Sequence, residues 1–347
     1  MPFSDWKKVL LVDLGFLGDT VHSVPAIRAM SLAGVRVDVM TTPVGAEILA
    51  LVPELGRVWA VPLRKPSPPP WKNLGTILAV RSEKYDAAIT LVGSDRNLFC
   101  AAASGARERI AHLTGRNSCL ARWGLTQTLG PRDRALPVFE QRLSLLRELG
   151  WTGRDPGWAW AIPAHDQTWG RDIAKSPALH LSINAASTPL NEWPLDDWAQ
   201  TLRLLWKNRP EMSVVATGAG SEREFARLGD LYALVHDSRL KILPDRLPIS
   251  RLAALLQAAD LHLGLDSGVL HLAMALGKPT VSLFRESVGR PGWAPRGERH
   301  RVMVRPCPCQ SSRRADCEGS RSKCLAEIKP TEVAEAVLGA WPRLQAR

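Results

Sequence analysis

Three short stretches hold residues able to do chemistry, each directly behind an apolar run. The first is Asp13-Leu14-Gly15-Phe16-Leu17-Gly18-Asp19. Gly15 and Gly18 let the backbone approach a phosphate or an acceptor, and the start of the helix behind them favours an anion. The stretch lacks the third glycine of a dinucleotide fingerprint and the Gly-Lys-Ser/Thr of a P-loop. Asp19 has two readings: it caps the helix, or it is a general base at the mouth of a sheet, within reach of a substrate hydroxyl. The second stretch, residues 184–194 (NAASTPLNEWP), offers small residues and the hydroxyls of Ser187 and Thr188 to a phosphate. Its plainer reading is an ordinary strand–helix loop. The third is Asp266-Ser267-Gly268, with His271 one helical turn on. Backbone N–H groups at Ser267 and Gly268 would meet a diphosphate with the positive end of a helix. A carboxylate repels a diphosphate, so Asp266 either accepts hydrogen bonds from a sugar or caps the helix. His271 lies among Leu270, Leu272, Ala273 and Leu276, a setting that also suits a core histidine.

Cys307, Cys309, Cys317 and Cys324 fall within 18 residues as C-x-C-x7-C-x6-C. Clustered thiols in a cytosolic chain suggest a metal before disulfides. The spacing is not the paired C-x2-C of zinc folds, so a structural metal competes with unligated thiols on a loop. Cys100 and Cys119 stand alone and read as ordinary small residues.

The elements that must position these stretches follow from pattern. Apolar runs predict strands at residues 8–13, 35–40, 57–61, 85–92, 179–183, 212–217, 240–243, 261–265 and 280–284. Helical periodicity and caps predict helices at 19–33, 41–51, 74–83, 137–149, 195–206, 221–234, 249–259, 267–276 and 330–341. Ser221 with Glu224 three residues on has capping-box spacing. Residues 62–71 (PLRKPSPPPW) read as a surface loop, and residues 151–177 as a crossing with weak periodicity. Strands alternating with helices mean parallel sheets covered on both faces. The break near the middle predicts two Rossmann-like domains, 1–160 and 179–329, joined by a linker at 161–178. Such sheets bind ligands beyond the carboxyl ends of their strands, where all three stretches stand.

The chain has 347 residues, 45% hydrophobic and 23% charged, enough for two cores without disulfide staples. No apolar run is long enough to span a membrane, and no signal-peptide core precedes the first strand; a cytoplasmic enzyme is expected. The net charge of +11 suits nucleic acid, an anionic membrane or a phosphorylated substrate. Arginine is scattered, densest at residues 285–314, and only two Tyr and six Phe are available for stacking on bases. Nucleic acid is therefore set aside in favour of an anionic surface or substrate.

In their order and spacing these pieces resemble glycosyltransferase family 9, the heptosyltransferase-like enzymes of lipopolysaccharide assembly. The likeness rests on residues 9–28 (VLLVDLGFLGDTVHSVPAIR), on Trp193-Pro194, and most specifically on residues 259–284 (ADLHLGLDSGVLHLAMALGKPTVSLF). The resemblance implies a GT-B fold, α/β, with two Rossmann-like domains whose parallel sheets face a central cleft. The helix within 330–347 would pack back on the first domain. It implies inverting, metal-independent transfer from a nucleotide-sugar, an ADP-sugar by preference, with no cofactor required. The N-terminal domain would meet a cell-envelope glycolipid or oligosaccharide acceptor, with peripheral contact at the inner face of the membrane. The C-terminal domain would hold the nucleotide. Asp19 matches the family's proposed base. Asp266, Gly268 and His271 match its donor motif, with Ser267 where Thr is common. Ser187 and Thr188 fall in the phosphate loop, and Glu222 falls where the nucleoside is contacted. Two positions depart from the family: Asn191 stands where a basic residue is usual, and so does Asp13. Two other readings compete: a GT-B sugar-nucleotide epimerase, for which the cleft offers few extra acid/base groups, and a non-catalytic nucleotide-sugar or glycan binder.

Overall fold

Continuous apolar runs make strands buried on both faces, and β1 (Lys8–Asp13) is one, buried from Val9 onward. Behind it follow α1 (Leu17–Leu32), β2 (Arg36–Thr41), α2 (Pro43–Leu49), β3 (Val58–Ala60), α3 (Leu74–Ser82), β4 (Ala87–Thr90), α4 (Asp95–Ala103), β5 (Glu108–His112), β6 (Gln127–Leu129) and α5 (Val138–Glu148). The structure is a computed structural model and describes residues 3–62, 73–113, 122–130, 132–185, 188–243, 245–287, 289–307 and 322–341. The chain divides into two compact units, Met1–Ala161 and Ile162–Arg347.

Among the described residues, the first unit carries one parallel six-stranded sheet in the order β3-β2-β1-β4-β5-β6. Leu10, Val12, Met40, Val80 and Tyr85 pack a core on one of its faces. Strands β5 and β6 lie where no strand was expected. Glu108, Arg109, Gln127 and Thr128 interrupt the apolar pattern, because this margin of the sheet is only partly buried.

The second unit opens with α6 (Ala164–Ile173), then β7 (Ala178–Ser182), α7 (Leu195–Asn208), β8 (Ser213–Ala216), α8 (Glu222–Val235), β9 (Leu240–Ile242), α9 (Ile249–Ala258), β10 (Leu261–Leu265), α10 (Gly268–Ala275), β11 (Thr280–Leu283), α11 (Arg290–Trp293), β12 (His300–Met303), α12 (Lys323–Ala326) and α13 (Pro330–Ala340). Its sheet, again parallel and six-stranded among the described residues, runs β12-β11-β10-β7-β8-β9. Read from β9, this is the same doubly wound order as the first sheet. In both, the order reverses at the opening strand, between β1 and β4 and between β7 and β10, and the crevice at such a reversal is where these folds bind ligands.

Besides β5 and β6, the elements α4, α6, α11, β12 and α12 form where none was expected. Residues 164–173, expected within a linker, form α6, which packs on α9. A Cβ on Gly170 would lie 2.6 Å from the Ala254 carbonyl oxygen, so glycine is what lets the two helices come this close. Asp166 and Arg251 pair at 3.4 Å across the same contact. The last helix, α13, packs on α7 in the second unit, where Val333, Ala334 and Val337 join the core with Leu202 and Leu205. No described helix is long and apolar enough to cross a membrane.

Candidate functional site

The crevice of the first sheet is built around a buried charge network. Asp13 ends β1 with its side chain fully buried, and its Oδ1 accepts from the Gly15 N–H at 3.1 Å. Its Oδ2 accepts from the Ser23 hydroxyl on α1 and lies 3.6 Å from Nη1 of Arg142. Arg142, on α5 and also buried, donates through Nη1 to Ser23 Oγ and to the Asp19 carbonyl oxygen. Its Nη2 donates to Oδ1 of Asp19 at 3.2 Å. Asp19 keeps 18% of its side chain exposed. The helix α1 begins at Leu17, so Asp19 is its third residue and not its cap; Oδ2 accepts from the Phe16 N–H at 3.0 Å, one half of a capping box. Gly15 is required by this packing, because a Cβ there would sit 2.4 Å from the Asp19 Cβ and 2.6 Å from its Oδ2. Gly18 is buried in the first turn. A second cation, Arg132, donates to the Leu91 carbonyl just beyond β4. Burial, and then the charge of Arg142, push its guanidinium down to about 10, with Asp19 and Asp13 opposing.

In the second unit the loops after β7 and β10 flank the corresponding crevice. Ser267 is the N-cap of α10 and Gly268 its first residue. The Ser267 hydroxyl is buried and, among the described residues, makes no hydrogen bond; the same holds for Oδ1 of Asn184 beyond β7. Asp266 does not cap the helix: its Oδ1 lies 3.4 Å from Nε2 of His271. The His271 ring is buried, 5.1 Å from that of Trp293. Thr188 takes the Leu190 N–H on its hydroxyl at 3.3 Å. Asn191 ends the 3-10 turn Pro189–Asn191, its N–H donating to the Thr188 carbonyl at 3.1 Å. Ser187 lies outside the described residues. Glu222 opens α8, exposed, while Ser221 and Glu224 form the expected capping box.

Glu192, nearly buried, organises this side. Its Oε1 accepts from the Ala185 N–H at 3.1 Å, both its oxygens accept from Nη1 of Arg223 at 2.8 Å, and Arg227 pairs with it at 3.3 Å. Two guanidiniums on one carboxylate leave a surplus positive charge beside Ala185, to whose carbonyl Arg223 also donates.

The family model of glycosyltransferase family 9 (heptosyltransferase) matches residues 76–321, most of the chain. This chain belongs to glycosyltransferase family 9. Lipopolysaccharide heptosyltransferase 1 of Pseudomonas aeruginosa is 26% identical over 94% of this chain and 96% of that protein. Among solved structures, a family 9 glycosyltransferase from Veillonella parvula superposes with a TM-score of 0.78 at 17% identity, covering 98% of each chain. The E. coli heptosyltransferase WaaC with ADP does so with a TM-score of 0.71 at 19% identity, covering 96% of this chain and 97% of that one. The protein is thus a glycosyltransferase with the GT-B fold.

In this family 9 glycosyltransferase the expected site residues gather in two groups: Gly15, Gly18 and Asp19 in the first unit, and Thr188, Asn191, Glu222, Asp266, Ser267, Gly268 and His271 in the second. Sequence reasoning missed Arg142, Arg132, Glu192, Arg223 and Arg227. For Arg142 a signal existed. It lies four residues from both Val138 and Leu146 on the apolar stripe of α5, and a charge there must have a buried partner. Of the cysteine cluster, Cys309 and Cys317 lie outside the described residues. Cys307 and Cys324 are free thiols, and burial pushes that of Cys324 up. Among the described residues no group of three or more His, Cys, Asp or Glu could hold a metal ion.

Proposed function

We propose that this enzyme transfers heptose from an ADP-sugar to the growing core of a lipopolysaccharide-type glycolipid, with inversion. Names among its relatives support donor and acceptor: heptosyltransferases of lipopolysaccharide, one of them with ADP. The observation that carries the chemistry is the part-exposed Asp19 carboxylate, held in place beside the glycine turn at the carboxyl edge of the first sheet. The acceptor hydroxyl gives its proton to Asp19 as its oxygen attacks the anomeric carbon. The bond from that carbon to the diphosphate oxygen breaks, and the electron pair leaves with ADP. Attack opposite the leaving group inverts the anomeric centre.

Charge developing on the departing diphosphate falls on the start of α10 at Ser267–Gly268 and on the loop holding Thr188 and Ser187. Arg223, half exposed beside Ala185, supplies the positive charge that Asn191 does not. His271 and Asp266 hold each other where the sugar would lie, and Glu222 faces the nucleoside. No divalent ion takes part. The acceptor is anionic and membrane-borne, and a chain of net charge +11 at the inner face of the membrane suits it.

With ADP-heptose and a deacylated inner-core oligosaccharide, Asp19→Ala lowers kcat by about 10²–10⁴-fold, the range typical of a lost general base, with the melting temperature kept. Turnover at the wild-type rate in that variant excludes the base role. Release of an epimerised sugar from donor alone would favour an epimerase, and donor binding without turnover a binding protein.

A further inference from the structure

The residue that holds the Asp19 carboxylate is itself buried and held from behind, and nothing in the transfer step as described above uses it. Arg142 contacts Asp19 twice, at Oδ1 and at the backbone carbonyl, and reaches Asp13 both at 3.6 Å and through Ser23. Asp13 in turn fixes the Gly15 N–H, and Gly15 sits against Asp19. One closed circuit therefore runs from the end of β1 through the glycine turn, the candidate base and α5 back to the strand. Asp13 and Arg142 neutralise each other inside the protein, and the net negative charge of the circuit rests on Asp19.

We propose that Arg142 is a positioning residue for transfer: it fixes the direction of the Asp19 carboxylate, and Asp13 fixes Arg142. This role rests on Asp19 being the base. The guanidinium places Nη1 against Ser23, Asp13 and the Asp19 carbonyl while Nη2 holds the Asp19 carboxylate; the single nitrogen of an ammonium keeps the charge but loses the second of these holds.

The test uses the full-length enzyme with ADP-heptose and deacylated inner-core oligosaccharide. Arg142→Lys lowers kcat about 10–100-fold, as a misaimed catalytic group does, with KM for ADP-heptose changed by less than about twofold. Arg142→Met strands the Asp13 charge and lowers the melting temperature. Adding Asp13→Asn removes the stranded charge, so the melting temperature recovers while kcat stays low. Wild-type kcat in Arg142→Lys, or joint recovery of kcat and melting temperature in the double variant, overturns the positioning role and leaves Arg142 a structural residue. Crystals of the double variant read the same question without any donor. An Asp19 carboxylate turned away from the Phe16 N–H supports the role, and an unmoved one refutes it. Asp19→Ala runs alongside: full turnover there removes the base itself, and with it the group to be positioned, whereas loss of turnover there with wild-type Arg142→Lys refutes the positioning role alone.

Discussion

Gly15 is among the least replaceable residues of the first crevice. A methyl group there overlaps the Cβ of Asp19, so the carboxylate must move or the turn must open. Gly15→Ala is expected to cost about 1–3 kcal/mol of stability, as overpacking does, and to lower kcat at least about tenfold, since small misplacements of a reacting group are expensive. Steady-state kinetics with a thermal melt check both, and unchanged kcat would mean that the aim of Asp19 does not matter. Arg223 makes a different kind of prediction. It is half exposed and paired with a nearly buried Glu192, so its loss leaves the fold in place and removes positive charge from the loop after β7. Arg223→Ala is expected to weaken ADP binding about 10–100-fold, the range for one hydrogen bond to a charged group. Titration calorimetry measures it, and an unaltered affinity assigns the pair to loop packing alone.

At the scale of elements, the two central strands of the second sheet carry histidines in register. His180 on β7 faces His262 on β10, Nδ1 to Nδ1 at 2.9 Å, and the Thr217 hydroxyl lies 3.1 Å from Nε2 of His180. Burial holds His180 down at about 3. Burial, and then the charges of His180 and His271, hold His262 well below its ordinary value. Burial likewise lowers His112 and His300. For a group depressed this way the unfolded chain binds the proton first. Stability is therefore complete above the unfolded value near 6.5 and declines as pH falls from there toward the folded value, by up to about 1.4 kcal/mol per pH unit for each such histidine. The carboxylates with lowered values, Glu54, Glu83, Asp237 and Glu332, titrate below this window. The melting temperature is expected to fall steadily between pH 7 and pH 5, and a flat profile there would mean that these histidines are solvated in solution.

At the scale of the whole molecule, two units share one strand order and carry different side chains at their crevices. A ligand held only at the carboxyl edge of the second sheet stabilises the fold by mass action, about 2.7 kcal/mol at a hundredfold excess over Kd. Hydrogen exchange should locate it: ADP is expected to slow exchange in residues 261–275 and 213–225 and to leave residues 8–32 unchanged. Protection confined to residues 8–32 would put the nucleotide in the wrong unit. How much of this was legible beforehand varies with how local the cause is. Apolar runs and caps are local, so β1 and β10 fall on their expected residues and Ser221 caps α8 with Glu224 as the spacing requires. The glycine turns at Asp13–Asp19 and Asp266–Gly268 are local too, and with the order of the motifs they placed the chain in its family. Strands β5 and β6, whose apolar pattern is broken at a partly buried margin, and α6, whose close fit depends on the backbone of α9, carry no such signal. The charge network of the first crevice could be read only in part: the apolar stripe of α5 signals that Arg142 has a buried partner but not which one. Arg142 stands 123 residues from Asp19 along the chain, and only folding makes them neighbours. Sequence alone determined that β1 ends at Asp13 and β10 at Leu265, because those ends follow from periodicity over a few positions. The tertiary structure alone decided which charges face one another there, because a buried ion pair is set by packing between distant segments.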